Sequence, residues 1–398
     1  MKKLRPLPFV PVLLVVGLLG GCAAVDTATD TTDTSSTTAV DADSTLAAAA
    51  VLAANQDDHD DAADYEWDDA DVTDIVLSGD TAESSGGAVD ISGSTVTITS
   101  AGTYELTGAL SDGQIVVNST GDGVVRLILN GVDISNSTTS PLVVTAADEV
   151  MVVLADGSEN ALSDTSSYAE SDDASAALYS AADLTITGVG ALSVVGNAND
   201  GIVSKDGLVI NSANLTVTAV DDGIRGKDYL VIDSGAITVT AGGDGLKSDN
   251  EDDETRGYIA ISNGTVTVDA AGDGAQAATD VVITGGEISL TTAGGSTGTL
   301  ADDVSAKGLK SGVHTVVEGG EVSINSADDA VHSNGAVHVV SGVLTLVSGD
   351  DGIHADSELT IDGGTVEVTE SYEGLESAVV SITGGTVTVT SSDDGINV

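Results

Sequence analysis

An acidic residue returns at a regular spacing through the second half of the chain, and it is the first candidate for chemistry. Successive members lie 22, 22, 29, 56, 22, 22 and 21 residues apart, and Lys307 divides the interval of 56 into 34 and 22. If the repeats stack, these carboxylates form a column with a spacing of about 4.8 Å. Like charges at that distance need hydrogen-bond donors or a cation between them. The members of this acidic column are Asp200, Asp222, Asp244, Asp273, Asp329, Asp351, Glu373 and Asp394.

Calcium is the cation that suits such a column, because Ca²⁺ takes about 6–8 oxygen ligands from carboxylates, amides and carbonyls. An insertion after the third member adds six further oxygen-bearing side chains at 249–254. The alternative is a ladder of turns that binds no metal, in which each aspartate caps its own turn. For the insertion, the alternative is a solvated loop. The predicted Ca²⁺ ligands are Asp200, Asp221, Asp222, Asp244, Asp249, Asn250 and Asp273.

Basic side chains accompany the acidic column. The residues three positions after its members and after Lys307 are Val203, Arg225, Lys247, Gln276, Lys310, His332, His354, Glu376 and Asn397. Cations beside carboxylates and calcium suit a polysaccharide that itself carries carboxylates. The alternative is that the lysines neutralise the neighbouring aspartates and that the tyrosine packs at an edge. The predicted ligand-binding residues are Lys205, Arg225, Lys227, Lys247, Lys310 and, as a ring that could stack on a sugar, Tyr229.

The elements that position these residues follow from the period, since a fixed repeat of this length is typical of a solenoid. The repeat at 351–372 contains three short runs with alternating polarity, separated by glycine or Asx turns. We therefore predict an all-β fold, a single-stranded right-handed parallel β-helix with coils of about 22 residues. Its inward column is predicted to be Ile202, Ile224, Leu246, Ala275, Leu309, Val331, Ile353, Leu375 and Ile396.

Composition narrows the classes of partner. The 398 residues include 64 Asp and Glu against 11 Lys and Arg, which gives a net charge of −53. Nucleic acid and anionic membrane surfaces are therefore excluded as partners. The single cysteine excludes an intrachain disulfide and a zinc site built on cysteines. Aromatic residues make up only 2% of the chain, too few for the aromatic rows that bind neutral crystalline polysaccharides.

The amino-terminal region is predicted to address and anchor the protein. Residues 1–21 read as a lipoprotein signal peptide, with three basic residues, an apolar run and the sequence LGGC. Cleavage would leave Cys22 lipid-modified, which predicts an exported lipoprotein of the cell envelope or surface that touches a membrane only through its anchor. Residues 22–71 are expected to form a disordered spacer rich in Ala, Thr and Asp. His59 stands in an acidic run there and is interpreted as part of a solvated segment rather than as a metal ligand.

The remaining residues, 72–398, form the predicted β-helix, with irregular early coils and a cap at 72–198 and regular coils at 199–398. Several stretches resemble the bacterial carbohydrate-binding domain-containing family over about 75–398. They are AGTYELTGALSDGQIVV (101–117), VRLILNGVDI (125–134), 180–210, DDGIRGKD and GDGLKSDNEDDETRG. The resemblance implies a pectate-lyase-like β-helix outside the cytoplasm. It also implies binding of acidic polysaccharide such as polygalacturonate, with cellulose as a further ligand, together with bound Ca²⁺.

Three functions compete at this point. The sequence favours calcium-dependent binding of acidic polysaccharide without catalysis. A polysaccharide lyase is the first alternative, in which calcium acidifies a proton beside a uronate carboxylate and Arg225, Lys227 or Lys247 abstracts it. The second alternative is an adhesin or ice-binding surface built from outward T-x-T pairs, which the strand preference of threonine also explains. These pairs are Thr216/Thr218, Thr238/Thr240 and Thr388/Thr390.

Overall fold

The structure is a computed structural model that describes residues 46–169, 172–301 and 304–398. These ranges contain one α-helix, α1 (Ala48–Ala54), two short 3₁₀ turns (Ala62–Tyr65 and Asp69–Asp71) and 36 strands. In chain order the strands are β1 (Thr73–Gly79), β2 (Ala82–Ser84), β3 (Val89–Ser92), β4 (Thr95–Ile98), β5 (Gly102–Leu110), β6 (Gln114–Asn118), β7 (Val124–Ser135), β8 (Leu142–Ala146), β9 (Glu149–Leu154), β10 (Glu159–Ser163), β11 (Ala176–Ser180), β12 (Asp183–Gly188), β13 (Ala191–Gly196), β14 (Asp200–Ser204), β15 (Gly207–Asn211), β16 (Ala213–Ala219), β17 (Ile224–Gly226), β18 (Tyr229–Ile232), β19 (Gly235–Ala241), β20 (Leu246–Ser248), β21 (Tyr258–Ile261), β22 (Thr265–Ala270), β23 (Ala275–Ala277), β24 (Asp280–Ile283), β25 (Glu287–Thr292), β26 (Leu309–Ser311), β27 (His314–Ser326), β28 (Val331–Ser333), β29 (Ala336–Ser348), β30 (Ile353–Ala355), β31 (Glu358–Ile361), β32 (Thr365–Glu370), β33 (Leu375–Ser377), β34 (Val380–Ile382), β35 (Thr386–Val389) and β36 (Ile396–Asn397).

Two sheets contain all of these strands. Sheet B has 14 strands, namely β3, β4, β6, β8, β11, β14, β17, β20, β23, β26, β28, β30, β33 and β36, and sheet A has the other 22. In the repeat at 351–372, β30 joins sheet B, whereas β31 and β32 join sheet A. The three strands predicted for this repeat are therefore confirmed.

The predicted inward column is confirmed by the register of sheet B. Its nine residues pair in eight successive parallel steps, from Ile202 with Ile224 to Leu375 with Ile396. The first eight are buried, and only Ile396, in the last described strand, is exposed. Buried and exposed residues alternate along other strands too. In β16, Val217 is buried, whereas its neighbours Thr216 and Thr218 are exposed.

The prediction of a single-stranded right-handed parallel β-helix is wrong, because the described strands form two large mixed sheets. The long strands β7, β27 and β29 each pair with two sets of strands, which joins two ladders into sheet A. The pairs β1–β2 and β3–β4 are antiparallel. A two-residue loop joins β3 to β4, and Gly93 supplies the positive φ of 62° that this reversal needs. Alternating polarity specifies which face is buried, but not the direction of the pairing partner.

Residues 46–71, which we name the amino-terminal strap, lie in the stretch for which the sequence predicted a disordered spacer. The described part of that stretch is structured. Helix α1 has no side-chain cap at Ala47, and it is instead fixed by packing of Ala48 and Val51 against Val282 and Val316 of sheet A. The Ala48 N–H also donates to Glu318 (2.7 Å). The strap therefore covers part of the outer face of sheet A. No helix in the described ranges is long and apolar enough to cross a membrane, and Cys22 lies outside these ranges.

Candidate functional site

The acidic column is built by hydrogen bonds between repeats. One carboxylate oxygen of Asp200 accepts a hydrogen bond from the backbone N–H of Asp222 (3.1 Å). In the same way, Asp222 accepts the N–H of Asp244 (2.9 Å), and Asp244 accepts the N–H of Asp273 (2.8 Å). These four side chains are buried. A glycine follows each because the backbone passes close to the next repeat. A Cβ on Gly223 would lie 2.3 Å from Val239 and 2.6 Å from the carbonyl oxygen of Gly245. The column is therefore a ladder of caps, in which each aspartate caps the turn of the next repeat.

The second carboxylate oxygens face the basic column. The Lys247 ammonium group lies between Asp222 (3.0 Å) and Asp244 (2.7 Å), and the Lys310 ammonium group lies 2.9 Å from Asp273. Burial lowers the pKa of Lys247, but hydrogen bonding to Asp244 and the charges of both aspartates raise it overall. Lys247 and Lys310 thus neutralise the ladder from within. The Lys247 ammonium group occupies the position that a metal ion would need between Asp222 and Asp244.

One corner of the ladder keeps an excess of negative charge. Asp200, Asp221 and Asp222 each offer a carboxylate oxygen, and the three oxygens lie within 4.8 Å of one another. Burial, followed by the charge of Asp222, raises the pKa of Asp200 to about 7. The guanidinium of Arg225 stands 3.9 Å from Asp200. Lys247 contacts Asp222 at this corner and also pairs with Asp244, whereas Arg225 also pairs with Asp249. The three converging carboxylates therefore keep negative charge that fits a hard divalent ion.

The other predicted Ca²⁺ ligands do not join this corner. Asp249 binds the Arg225 guanidinium through both oxygens, at 3.1 Å for the Nε contact. The Asn250 amide donates to Asp228 (2.5 Å), and its oxygen accepts the N–H of Asp252. The insertion is therefore organised by its contacts with Arg225 and Asp228 and by a hydrogen bond within its own turn. Asp244 and Asp273 are engaged with lysines, as described above.

Lys205 and Lys227 differ from the other basic residues of the predicted site. Within the described ranges, neither ammonium group has a carboxylate oxygen within 4.0 Å. The two lysines follow Ser204 and Gly226, which pair directly between β14 and β17, so they lie on neighbouring repeats. Burial and then the charge of Arg225 lower the pKa of Lys205. We name Lys205, Arg225 and Lys227 the cationic patch, and the corner at Asp200 lies beside it.

The structure places Tyr229 away from this patch. Its ring is buried, stacks on Tyr258 with a centroid distance of 5.5 Å, and lies beneath the strap. Its hydroxyl hydrogen-bonds to Nδ1 of His59 (2.7 Å), whose Nε2 hydrogen-bonds to Thr185 (2.9 Å). Burial lowers the pKa of His59. His59 therefore fastens the strap to sheet A, a role that its acidic sequence neighbours gave no means of predicting.

A second group of potential ligands, without an assigned role in the sequence analysis, lies further along the same columns. It contains Asp329, His332, Asp351, His354 and Glu376, within which two overlapping triads have ligand atoms no more than 4.8 Å apart. The sequence feature that could have revealed this group is the change in the basic column from Lys and Arg in the earlier repeats to His in the later ones.

The fold and the site together define a β-sheet protein with a repetitive, mainly acidic surface and a local cationic patch. The chain belongs to the carbohydrate-binding domain-containing protein family, whose model matches residues 92–352 and 349–395. A relative of the same description from Acetivibrio thermocellus is 34% identical over 128 residues, which are 31% of this chain and 45% of the relative. The chain thus matches less than half the length of that relative. A solved structure, the gadolinium derivative of the polysaccharide lyase-like protein from C. thermocellum, has a TM-score of 0.52 and 27% identity, covering 71% of this chain and 99% of that one.

Proposed function

We propose that this protein binds acidic polysaccharide of the polygalacturonate type, without catalysis, through the cationic patch. Family membership and the polysaccharide lyase-like neighbour support a polysaccharide ligand. The observation that carries the acidic specificity is that Lys205 and Lys227 have no carboxylate oxygen within 4.0 Å among the described residues, in a chain whose net charge is −53. Ammonium groups that form no internal ion pair remain available for uronate carboxylates.

Calcium has a defined place in this proposal. A polyanion approaching this surface meets strong repulsion, which a divalent cation would relieve. Asp200, Asp221 and Asp222 are the residues that would hold the ion, since their oxygens converge and their negative charge exceeds the positive charge of the two neighbouring cations, Arg225 and Lys247. When bound, Ca²⁺ would supply positive charge and open coordination positions for ligand oxygens. The lysines would then bind neighbouring carboxylates and set the orientation of the polysaccharide.

The alternatives receive less support. Ion pairs with aspartates raise the pKa values of Arg225 and Lys247 above their ordinary values, against the lowering effect of burial, and this opposes proton abstraction by either. The exposed threonines Thr218 and Thr240 do align, but the same column continues with Asp269. An ordered threonine surface is therefore interrupted. Export and lipid anchoring through Cys22 complete the proposal and would place the patch at the cell surface.

Calorimetric titration of the protein with polygalacturonate, in Ca²⁺ and in chelator, tests the proposal. In Ca²⁺, the double variant Lys205→Gln/Lys227→Gln should bind at least tenfold more weakly, because each charged hydrogen bond contributes about 1.5–3 kcal/mol. The matched control is Thr238→Glu/Thr240→Glu, which lowers the net charge equally on the exposed face of β19.

If both double variants bind polygalacturonate equally weakly, overall charge explains the effect, and the role proposed for the cationic patch is contradicted. Binding that persists in chelator but is lost in the lysine variant would support the patch and refute the role of calcium. If unsaturated products accumulate from polygalacturonate, the protein is a lyase and the proposal of binding without catalysis is wrong.

A further inference from the structure

The second ligand group has the dimensions of a metal coordination sphere. Nδ1 of His354 lies 3.0 Å from Oδ2 of Asp351 and 3.5 Å from Oε2 of Glu376. Ligands about 2.1 Å from a tetrahedral ion are about 3.4 Å from one another. The two separations from His354 therefore already match those that coordination requires, and the Asp351 and Glu376 oxygens lie within 4.8 Å of each other.

The hydrogen bonds of His354 favour a positive ion between these groups. Its other nitrogen, Nε2, faces Oδ1 of Asp356 at 3.2 Å. An Nε2–H donated to Asp356 leaves the Nδ1 lone pair facing two carboxylates, and only a proton or a metal ion can satisfy all three. A histidine whose second nitrogen is held by a carboxylate is the usual arrangement around protein-bound zinc. The ring of His332 lies 4.8 Å from that of His354 and fixes its orientation from the preceding repeat.

Comparison with earlier repeats shows why this place differs. Arg225, Lys247 and Lys310 occupy the same column upstream and neutralise the ladder with permanent charges. These side chains are protonated donors and offer no lone pair. His354 offers one, and Glu376, one repeat later, adds a second carboxylate. The same backbone thus changes from a ladder neutralised by side chains to one that can accept a metal.

The donor set and its exposure indicate the class of metal. Imidazole nitrogen with two carboxylates suits Zn²⁺ and its first-row neighbours, whereas Ca²⁺ prefers oxygen ligands alone. The side chain of Asp351 is 6% exposed, but those of His354 and Glu376 are 25% and 34% exposed. An ion can therefore enter from solvent and keep a water ligand. We propose that Asp351, His354 and Glu376 form a binding site for a transition-metal ion of the Zn²⁺ type.

The test uses the full chain with Cys22→Ser, which removes the only thiol, after removal of metals. Titration with Zn²⁺ in the presence of millimolar Ca²⁺ should show a site with about one equivalent, and Co²⁺ should give the absorption bands of a low-coordinate complex. His354→Gln and Glu376→Gln should each weaken Zn²⁺ binding about tenfold or more. The control is His314→Gln, because His314 contacts Asp280 on sheet A, outside the group.

The Glu376 variant keeps the test informative if His354→Gln fails to fold, since Glu376 is the most exposed of the three. Absence of Zn²⁺ binding, full displacement by Ca²⁺, or equal affinity in the Glu376 and His314 variants would overturn the proposal.

Discussion

Replacing Lys247 by methionine removes the ammonium group between two buried carboxylates, and the structure sets the cost. The ammonium lies 3.0 Å from Asp222 and 2.7 Å from Asp244. Breaking a buried ion pair by removing one partner costs about 3–5 kcal/mol. The variant can limit this loss by protonating Asp244. Burial already raises the pKa of Asp244, and in the unmutated protein Lys247 opposes that rise. Without Lys247 the folded-state pKa of Asp244 should rise further above its unfolded value.

Protonating an ordinary aspartate costs about 1.4 kcal/mol for each pH unit above a pKa of about 3.9, hence about 4 kcal/mol at pH 7 and about 1.5 kcal/mol at pH 5. A raised folded-state pKa means that the folded state holds more protons, so stability falls as pH rises between the two pKa values. Lys247→Met should therefore lose about 3–4 kcal/mol at pH 7 but only about 1–2 kcal/mol at pH 5.

Urea denaturation followed by far-ultraviolet circular dichroism at the two pH values measures both losses. Lys227→Met is the matched control, because it makes the same chemical change where no described carboxylate lies within 4.0 Å. It should change stability by no more than about 0.5 kcal/mol. Equal losses in the two variants, or a larger loss at pH 5 than at pH 7, would refute the role assigned to Lys247.

Two further predictions concern the same ladder. Burial and the charge of Asp222 raise the pKa of Asp200 to about 7, so this group should lower stability as pH rises from about 4 to about 7. Asp200→Asn should flatten that slope by up to about 1.4 kcal/mol per pH unit in chelator, and parallel denaturation profiles would contradict this. Gly223→Ala should cost about 1–3 kcal/mol because the added methyl meets Val239 at 2.3 Å. Gly121→Ala, with no atom within 4 Å of the added methyl, is the control; an equal effect on the denaturation midpoint would exclude the clash as the cause.

Much of the register could be predicted from sequence because each repeat carries the same information. A slip of one residue would turn every buried side chain outward, so the apolar column from Ile202 to Ile396 has a single workable alignment. The same alignment placed Lys247 and Lys310 beside the acidic column. It could not specify whether a metal or a lysine would occupy the space between the carboxylates, since that depends on where long side chains end.

Other features depended on contacts that no period describes. Strands β27 and β29 each pair with two ladders of strands and thereby join them into sheet A, whereas the repeat alone suggested a single-stranded coil. Asp249 turned to Arg225, and Tyr229 was covered by the strap.

The sequence by itself thus determined the repeat, the inward column and the alignment of acidic with basic residues, because these follow from local alternation and a constant period. The tertiary structure decided how the strands divide into sheets, which lysines have no carboxylate partner within the described ranges, and what covers sheet A. These outcomes rest on single contacts between distant residues, such as His59 with Thr185, 126 positions apart. A contact of that kind occurs once and leaves no periodic trace in the sequence.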